Sequence, residues 1–246
     1  MGQAGERRLS KVCDERSRRE KSKKILAILR EFVGDDLSRL RCLDLGCARG
    51  LISYYLAPAF ERVIGVDVDA MALSGCRLRE HHNNLHFLAA DGRRLPFTDE
   101  SFEVVICAQV YEHVTDPQAL VREIDRIMTG DGVCFFSGPN RLAPIENHYG
   151  LPFLHWLPRN LASWLLRVTG RSEEYEENLL TYWQLRRLLA RFEIHDFTSK
   201  MIGDPQRYFV VDELGRLGPL RRIPPTMLRR LIFLAPNFNW ILTKKR

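Results

Sequence analysis

Hydrophobic and polar residues follow two patterns along the chain, short apolar runs and stretches with helical spacing, and these patterns predict its secondary structure. Five short apolar runs have the length and composition of buried parallel strands. They lie at Arg41–Leu45, Arg62–Val66, Leu85–Ala89, Val104–Ala108 and Val133–Ser137. Stretches with helical spacing separate most of them, at Leu51–Ala57, Ala70–Glu80 and Pro117–Met128. Alternation of this kind predicts an α/β fold, an open and mostly parallel sheet with helices on both faces.

The flanking segments complete this picture. A helical stripe covers Asp14–Phe32, and a capping-box pattern opens a helix over Thr181–Phe192. Strands near Ile194–Thr198 and Phe238–Thr243 would bring the sheet to seven strands. The rhythm breaks over residues 138–180, which predicts a helical insert after the fifth strand. The predicted organisation is an N-terminal basic, helical extension (1–39), a ligand-binding core (40–140), an insert or substrate lid (141–180) and a C-terminal completion with a basic tail (181–246).

Charge is concentrated at one end of the chain. The formal net charge is +6, and residues 221–246 carry seven cations and no acid, which leaves 6 − 7 = −1 for the rest. A mildly acidic body argues against a nucleic-acid partner, since such proteins show a broad basic face. The tail mixes cations with apolar side chains. It is therefore interpreted either as a peripheral contact with an anionic membrane or as a final helix and strand with solvated ends.

Composition excludes several further classes. No apolar run approaches the length of about 20 residues that a membrane span needs, and the chain starts with no signal-like apolar segment. The six cysteines form no C-x-x-C pair and match no zinc spacing. We therefore expect reduced cysteines, no metal site and a cytoplasmic protein, with peripheral contact at the inner membrane face through residues 221–246 as the open alternative.

Acidic residues stand at the ends of three successive predicted strands. The first strand passes through Asp44 into a glycine-bearing turn, Gly46–Gly50. A carboxylate there suits an ammonium or sulfonium group better than a pyrophosphate, and the dinucleotide pattern G-x-G-x-x-G is absent. Asp67 ends the second strand, where a carboxylate can accept from both hydroxyls of a ribose. Asp91 follows the third strand, placed for an exocyclic amine such as that of adenine. Together the acids predict one ligand site.

These residues resemble the motifs of class I S-adenosylmethionine-dependent methyltransferases. The resemblance is to the small-molecule subgroup similar to the quinone-biosynthesis enzymes, with a methyltransferase type 11 domain. It covers about residues 40–140 and rests on Asp44–Gly50, Gly65–Asp67, Ala90–Asp91, Leu95–Phe97, Ser101–Val105 and Glu112–Val114. It implies a Rossmann-like, doubly wound fold, S-adenosyl-L-methionine as the cofactor, and methyl transfer to a small or lipid-like acceptor at oxygen or carbon.

The resemblance also implies individual roles in cofactor binding. The residues concerned are Asp44, Gly46, Cys47, Ala48, Gly50, Asp67, Val68, Asp91, Gly92 and Gln109. Asp44 and the glycine loop would hold the methionine part, Asp67 the ribose and Asp91 the adenine amine. Ala48 departs from the family, which has a middle glycine here, and its methyl group is expected to narrow the loop.

Acceptor chemistry points to the loops after the fourth and fifth strands. A base is needed only if the acceptor must lose a proton, and the candidates are His113 and His148. His113 has an equally plain interpretation as a structural histidine. The predicted acceptor-binding residues are Asn140, Glu146, Tyr149 and Trp156. Two alternatives to a methyltransferase stay open, a nicotinamide-dependent oxidoreductase on the same sheet and a non-catalytic scaffold that docks through its basic tail. The sequence does not indicate an oligomeric state.

Overall fold

The computed structural model describes residues 15–74, 82–143, 151, 153–170, 178–214 and 231–245. Its centre is one seven-stranded sheet in the order β3-β2-β1-β4-β5-β7-β6. The strands are β1 (Arg41–Leu45), β2 (Arg62–Asp67), β3 (Leu85–Ala89), β4 (Phe102–Ala108), β5 (Met128–Pro139), β6 (Phe192–Asp196) and β7 (Asn237–Lys244). The α/β class and the mostly parallel seven-stranded sheet predicted from the sequence are confirmed.

Helices connect most of these strands. They are α1 (Glu15–Val33), α2 (Leu51–Leu56), α3 (Ala70–Ser74), α4 (Pro117–Ile127), α5 (Arg159–Val168), α6 (Tyr182–Leu188), α7 (Thr198–Gly203) and α8 (Val211–Leu214). Short 3-10 turns lie at Ala57–Ala59, Tyr111–His113, Leu154–Trp156 and Ile232–Leu234. The part of the predicted helix beyond Ser74 lies outside the described residues.

Two helix starts follow directly from local sequence. Asp116 caps α4 by accepting a hydrogen bond from the Ala119 N–H, and Pro117 occupies the first helical position. Thr181 and Gln184 form the predicted capping box at the start of α6, where each side chain satisfies the backbone of the other. Each start is thus fixed by side chains that sit next to it in the chain.

The sheet separates two apolar layers. One contains Leu120 and Ile124 of α4 with Leu185 of α6, and the other contains Ile25 and Ile28 of α1. Successive side chains of a strand point to opposite faces, which divides each strand between the layers. The N-terminal helix is therefore not a loose extension, because its buried residues complete one layer of the core.

The last strand departs from the parallel pattern. β7 lies between β5 and β6 and runs antiparallel to both. Its apolar residues Phe238 and Trp240 are buried in the core, and Pro139 pairs with Asn237 at the start of the strand. An antiparallel β7 therefore brings its own first residues to the edge where the parallel strands end.

The fifth strand starts earlier than its sequence predicts. The predicted strand begins at Val133, but β5 begins at Met128 and includes Gly130, Asp131 and Gly132. The register against β4 shifts here, because Phe102 pairs with Met128 while Val104 pairs with Val133. An irregularity of this kind places extra residues in one strand without ending it, so the strand can include these glycines.

Candidate functional site

The loop after β1 has a backbone suited to close approach by a ligand. Gly46, Ala48 and Gly50 have φ values of 67°, 49° and 73°, in the left-handed region. The N–H groups of Gly46 and Cys47 donate to the Val66 carbonyl at 2.8 and 3.1 Å. A Cβ on Gly46 would meet the Val110 side chain at 2.7 Å, so only glycine fits there without a shift. The loop is thus held across the ends of β1 and β2.

Asp44 lies beneath this loop as a buried carboxylate. The Ser53 hydroxyl donates to its Oδ2 at 2.6 Å. Burial raises the pKa of Asp44 to about 6, against the opposing effects of the Ser53 hydrogen bond and the positive charge of Arg18, and nearby Asp67 raises it further. Burial disfavours the charged form of this carboxylate, and a cation bound beside it would stabilise that form again.

Asp67 joins the loop to the end of β2. Its Oδ2 accepts from the Ala48 N–H at 2.7 Å and its Oδ1 from the Asp69 N–H at 2.9 Å. A carboxylate oxygen can accept more than one hydrogen bond, so capacity for two hydroxyl donors remains. Val68 follows at once and is 77% exposed. A carboxylate that can accept further hydrogen bonds, next to an exposed apolar side chain, is suited to binding a nucleoside.

Asp91 has a different environment from the one expected. Arg93 donates to both of its carboxylate oxygens, with Nη2 at 2.6 Å from Oδ2. This guanidinium lowers the pKa of Asp91. The acid is therefore already paired with Arg93, and an amine of the ligand would have to share it. Its neighbour Gly92 faces Leu120, to which a Cβ at Gly92 would come within 3.2 Å.

The end of β4 supplies the candidate base. Gln109 has φ 61°, and its N–H donates to the Ser137 carbonyl at 2.8 Å. The 3-10 turn that follows leaves His113 half-exposed, with its Nε2 at 3.9 Å from Oε1 of Glu112. Glu112 is fully buried. Because β4 is parallel and next to β1 in the sheet, His113, after β4, and Asp44, near the end of β1, lie toward the same edge.

The predicted acceptor side is only partly described. Glu146, His148 and Tyr149 lie outside the described residues. Trp156 is half-exposed and contacts the ring of Phe153, with 4.9 Å between centroids. Its predicted acceptor contact stays a prediction.

Asn140 has a structural position rather than an open one. Its Nδ2 donates to the carbonyls of Phe233 and Ala235, at 2.7 and 2.9 Å, and its Oδ1 accepts from the Leu142 N–H at 3.0 Å. The residue is fully buried. Both amide protons are therefore used within the protein, which leaves none for an acceptor and corrects the expectation that this side chain faces one.

Sequence reasoning missed Arg18. This residue of α1 lines a small surface depression together with loop residues, among them Cys47, Ala48 and Arg49. The positive charge of Arg18 also lowers the pKa of Asp44, which places the two groups near each other. No local motif marks Arg18, because it belongs to a helix far from the loop in sequence and reaches it only through packing.

Comparisons with known proteins agree with this geometry. Residues 43–136 match the family model of a methyltransferase domain. A ubiquinone biosynthesis O-methyltransferase of Xanthomonas oryzae pv. oryzae is 29% identical over 184 residues, which are 65% of this chain and 75% of that protein. Residues 43–136 are therefore a methyltransferase domain, and the chain is similar over this part to S-adenosylmethionine-dependent methyltransferases.

A second relative extends the comparison in sequence, and a solved structure extends it in fold alone. A protein of Mycobacterium tuberculosis named as a probable S-adenosylmethionine-dependent methyltransferase is 34% identical over 100 residues, 41% of this chain and 36% of that one. The crystal structure of an S-adenosylmethionine-dependent methyltransferase from Mesorhizobium loti has a TM-score of 0.53 and 15% identity, covering 84% of this chain and 92% of that one. The methyltransferase domain sets the oxidoreductase hypothesis aside, and its family implies S-adenosylmethionine as the cofactor.

The residues at the edge fit that cofactor chemically. Its methionine part carries an ammonium, a carboxylate and a sulfonium, and the site offers the buried carboxylate of Asp44 beside the cation of Arg18. Its ribose needs hydroxyl acceptors, which Asp67 has in reserve. The methyl group of Ala48 is accommodated in a left-handed conformation, so the departure from glycine leaves the loop formed.

Other features of the described ranges bear on the remaining predictions. No helix there is long and apolar enough to cross a bilayer, and no group of three metal-binding side chains is found there. Within the described ranges, Cys42, Cys47, Cys107 and Cys134 are buried thiols. Burial raises the pKa of Cys134, which makes its thiol a poor nucleophile.

Proposed function

We propose that this methyltransferase transfers the methyl group of S-adenosylmethionine to an oxygen of a small or lipid-like acceptor at the carboxyl edge of the sheet. One observation carries the proposal: Asp67 ends β2, Asp44 lies one residue before the end of β1, and His113 lies in the turn after β4, and these three strands are neighbours in the sheet. Ligands of open α/β sheets bind at this edge. The Xanthomonas relative is an O-methyltransferase, which supports oxygen as the target.

The cofactor half of the proposal assigns one partner to each charged or polar group. The cofactor supplies an electrophilic methyl group when bound. Asp44 holds the ammonium, and Arg18 holds the carboxylate of the methionine part. Asp67 accepts from the ribose hydroxyls, and Val68 packs against the nucleoside. These contacts fix the direction in which the methyl group faces the acceptor, which is the main contribution an enzyme makes to such a displacement.

His113 serves the acceptor. A hydroxyl becomes a strong nucleophile only as it loses its proton, and a half-exposed imidazole at the carboxyl edge can take that proton. The carboxylate of buried Glu112, 3.9 Å from Nε2, can pair with the resulting imidazolium. Glu112 is therefore a positioning residue for His113 and does not touch the acceptor.

The segment after β5 completes the acceptor side. We retain Glu146, His148 and Tyr149 as acceptor-binding candidates, and His148 as a second candidate base. Asn140 acts indirectly, because its hydrogen bonds to residues 233 and 235 fix the point at which this segment leaves the sheet. Trp156 is retained as a candidate for apolar contact with the acceptor.

A labelling experiment tests the reaction. The protein is incubated with methyl-labelled S-adenosylmethionine and fractionated cell extract, and the labelled product is identified. We expect a labelled methyl ether or ester. Label on carbon or nitrogen would contradict the assignment of the target atom.

Substitution of His113 tests the base. We expect His113→Gln to lower kcat by about 10²- to 10⁴-fold, the usual worth of a general base, and to leave cofactor affinity unchanged. His86→Gln is the matched control, since His86 is exposed on β3. An undiminished rate in His113→Gln would remove His113 from the mechanism.

Substitution of Asp67 tests the cofactor assignment. Asp67→Ala should cost roughly 2–4 kcal/mol of cofactor affinity, because it removes a charged acceptor of the ribose hydroxyls. Asp69→Ala is the control: Asp69 caps α3 by accepting from the N–H groups of Met71 and Ala72, and does not contact the loop in this way. Unchanged affinity in Asp67→Ala, measured by calorimetry, would defeat the ribose assignment.

A peripheral membrane contact of residues 221–246 is the remaining part of the prediction, and the fold restricts it. Phe238 and Trp240 are buried, the Lys244 Nζ lies 3.9 Å from Glu100 Oε1, and Lys245 donates to the Ala190 carbonyl. A contact would therefore depend on the cations that precede residue 231. Deleting the tail would remove β7 from the sheet. The suitable test is Arg229→Gln with Arg230→Gln, which should weaken binding to anionic vesicles only if these cations contact lipid.

A further inference from the structure

One face of α5 is apolar and exposed. Leu161, Trp164 and Val168 are 46%, 53% and 65% exposed, and their spacing puts them on one stripe of the helix. The opposite side packs inward, where Ala162 and Leu166 are fully buried against Leu154. The helix is thus held by its other side, and the stripe Leu161–Trp164–Val168, here called the α5 face, makes no contribution to that small core.

An exposed pair of aromatic residues precedes the helix. Phe153 is 49% exposed, and its ring contacts Trp156. Its φ of 57° lies in the left-handed region, which a bulky residue rarely adopts. The chain therefore holds this aromatic side chain outward in a strained conformation instead of burying it.

The charged residues between positions 151 and 170 are all basic. The sequence from residue 151 to 170 contains no aspartate or glutamate, and α5 carries Arg159 near its start and Arg167 near its end, both exposed. Residues 171–177, outside the described part, contain four glutamates. The argument for an anionic partner therefore rests on the arginines of α5 and not on the net charge of the whole insert. A Trp- and Leu-bearing stripe flanked by arginines is the pattern of a helix that lies in the headgroup region of a bilayer.

The α5 segment is also tied to the candidate active site. The Arg159 Nη2 donates to Oδ1 of Asn178 at 2.6 Å, and the Asn178 N–H donates to the Glu112 carbonyl at 3.3 Å. Glu112 immediately precedes His113. The start of α5 therefore lies two hydrogen bonds from the turn that carries the candidate base.

We propose that the α5 face docks on the surface of a phospholipid bilayer. Trp164 and Leu161 enter the boundary between headgroups and acyl chains, while Arg159 and Arg167 lie at the level of the lipid phosphates. An acceptor with a lipid tail then reaches the carboxyl edge without leaving the bilayer. Only this last consequence rests on the proposed function, because docking requires neither cofactor nor methyl transfer.

Vesicle co-sedimentation tests the docking. The full chain is mixed with vesicles of phosphatidylcholine and phosphatidylglycerol, and the bound fraction is compared with that of the double variant Leu161→Ser, Trp164→Ser. We expect the partition coefficient to fall by more than about tenfold, because each apolar side chain contributes through buried area. The control is Trp183→Ser, since Trp183 is an equally exposed tryptophan, at 59%, on α6. It should bind as the unmodified chain does.

Salt and fluorescence separate this surface from the basic tail. Binding through the α5 face should largely survive high salt, whereas binding through the cations of the tail should be screened. Brominated lipids should quench the fluorescence of the unmodified chain, and quenching should drop in Trp164→Ser but not in Trp183→Ser. Cofactor affinity of the double variant is measured alongside, and an unchanged value shows that the fold and cofactor site are intact.

Several outcomes would overturn the proposal. One is an absence of vesicle binding by the unmodified chain. Another is equal binding by the double variant, and a third is an equal loss in Trp183→Ser. If ultracentrifugation shows a dimer that only the double variant loses, and no vesicle binding, then the α5 face is an interface between copies of this chain. None of these results depends on whether methyl transfer to oxygen occurs, so they leave the proposed function to its own tests.

Discussion

Replacement of Asp44 by asparagine should make this protein more stable and a poorer binder of its cofactor. Burial raises the pKa of Asp44 from 3.8 to about 6. A difference of about two units corresponds to about 3 kcal/mol at pH values above 6, where the folded protein carries a buried charge. Asparagine has nearly the same shape, can still accept from Ser53 and has no charge to desolvate. We therefore expect Asp44→Asn to raise the free energy of unfolding by about 2–3 kcal/mol at pH 8.

The stabilisation expected in Asp44→Asn depends on pH in a defined direction. A raised pKa in the folded state means that the folded protein retains the proton more strongly than the unfolded chain. The stabilisation by the protonated group is thus complete below about pH 4 and is lost as the pH rises through about 6. The gain in Asp44→Asn should be large at pH 8 and small at pH 4, where both side chains are neutral.

Cofactor binding should respond in the opposite direction. The carboxylate of Asp44 is the group proposed to hold the ammonium, so the variant loses a charged partner. In the unmodified chain, affinity should fall as the pH drops below about 6 and Asp44 takes up a proton. In Asp44→Asn the affinity should be lower and nearly independent of pH across this range. Calorimetric titration between pH 5 and pH 8 measures both.

Urea unfolding at the two pH values measures the stability half of the prediction. Asp125→Asn is the control, since Asp125 forms a surface ion pair with Arg191 at 2.8 Å and such pairs contribute about 0–1 kcal/mol. If Asp44→Asn were less stable than the unmodified chain at pH 8, the argument that burial of this charge opposes folding would be refuted. Greater stability with unchanged cofactor affinity would refute only the ammonium assignment.

Two further substitutions test the loop and the end of β5. Ala48→Gly should raise the free energy of unfolding by about 0.5–1 kcal/mol and bind the cofactor at least as tightly, because glycine adopts the φ of 49° without strain; a lower urea midpoint would contradict this. Asn140→Ala should lower the free energy of unfolding by about 2–4 kcal/mol, since it leaves the carbonyls of Phe233 and Ala235 without their donor. An unchanged urea midpoint with a raised KM would instead return Asn140 to the acceptor.

Features set by neighbours in the chain were predictable. The bounds of β1 and β3 agree with the sequence prediction, because short apolar runs between polar turns have few other ways to be buried. The capping box of Thr181 was also visible, since both of its partners lie within one helical turn. The positions of Asp44 and Asp67 at strand ends follow from the same local pattern.

Features set by distant partners were not predictable from the sequence. A contact between close neighbours was missed as well, because the strand pattern does not reveal that the Arg93 side chain, two residues along, donates to the Asp91 carboxylate. Asn140 looked like a functional residue in a polar loop, but its partners are carbonyls far along the chain, at residues 233 and 235. The polarity of a side chain is visible in a sequence, whereas the group that satisfies it is decided by packing.

The sequence by itself determined the strands and helices, the acids at the strand ends and thereby the class of ligand, because each of these depends on residues within a few positions of one another. Only the tertiary structure decided that β7 inserts antiparallel between β5 and β6, that Arg18 reaches Asp44, and that the apolar stripe of α5 faces outward. These depend on which surfaces bury one another, and that choice is a property of the whole chain.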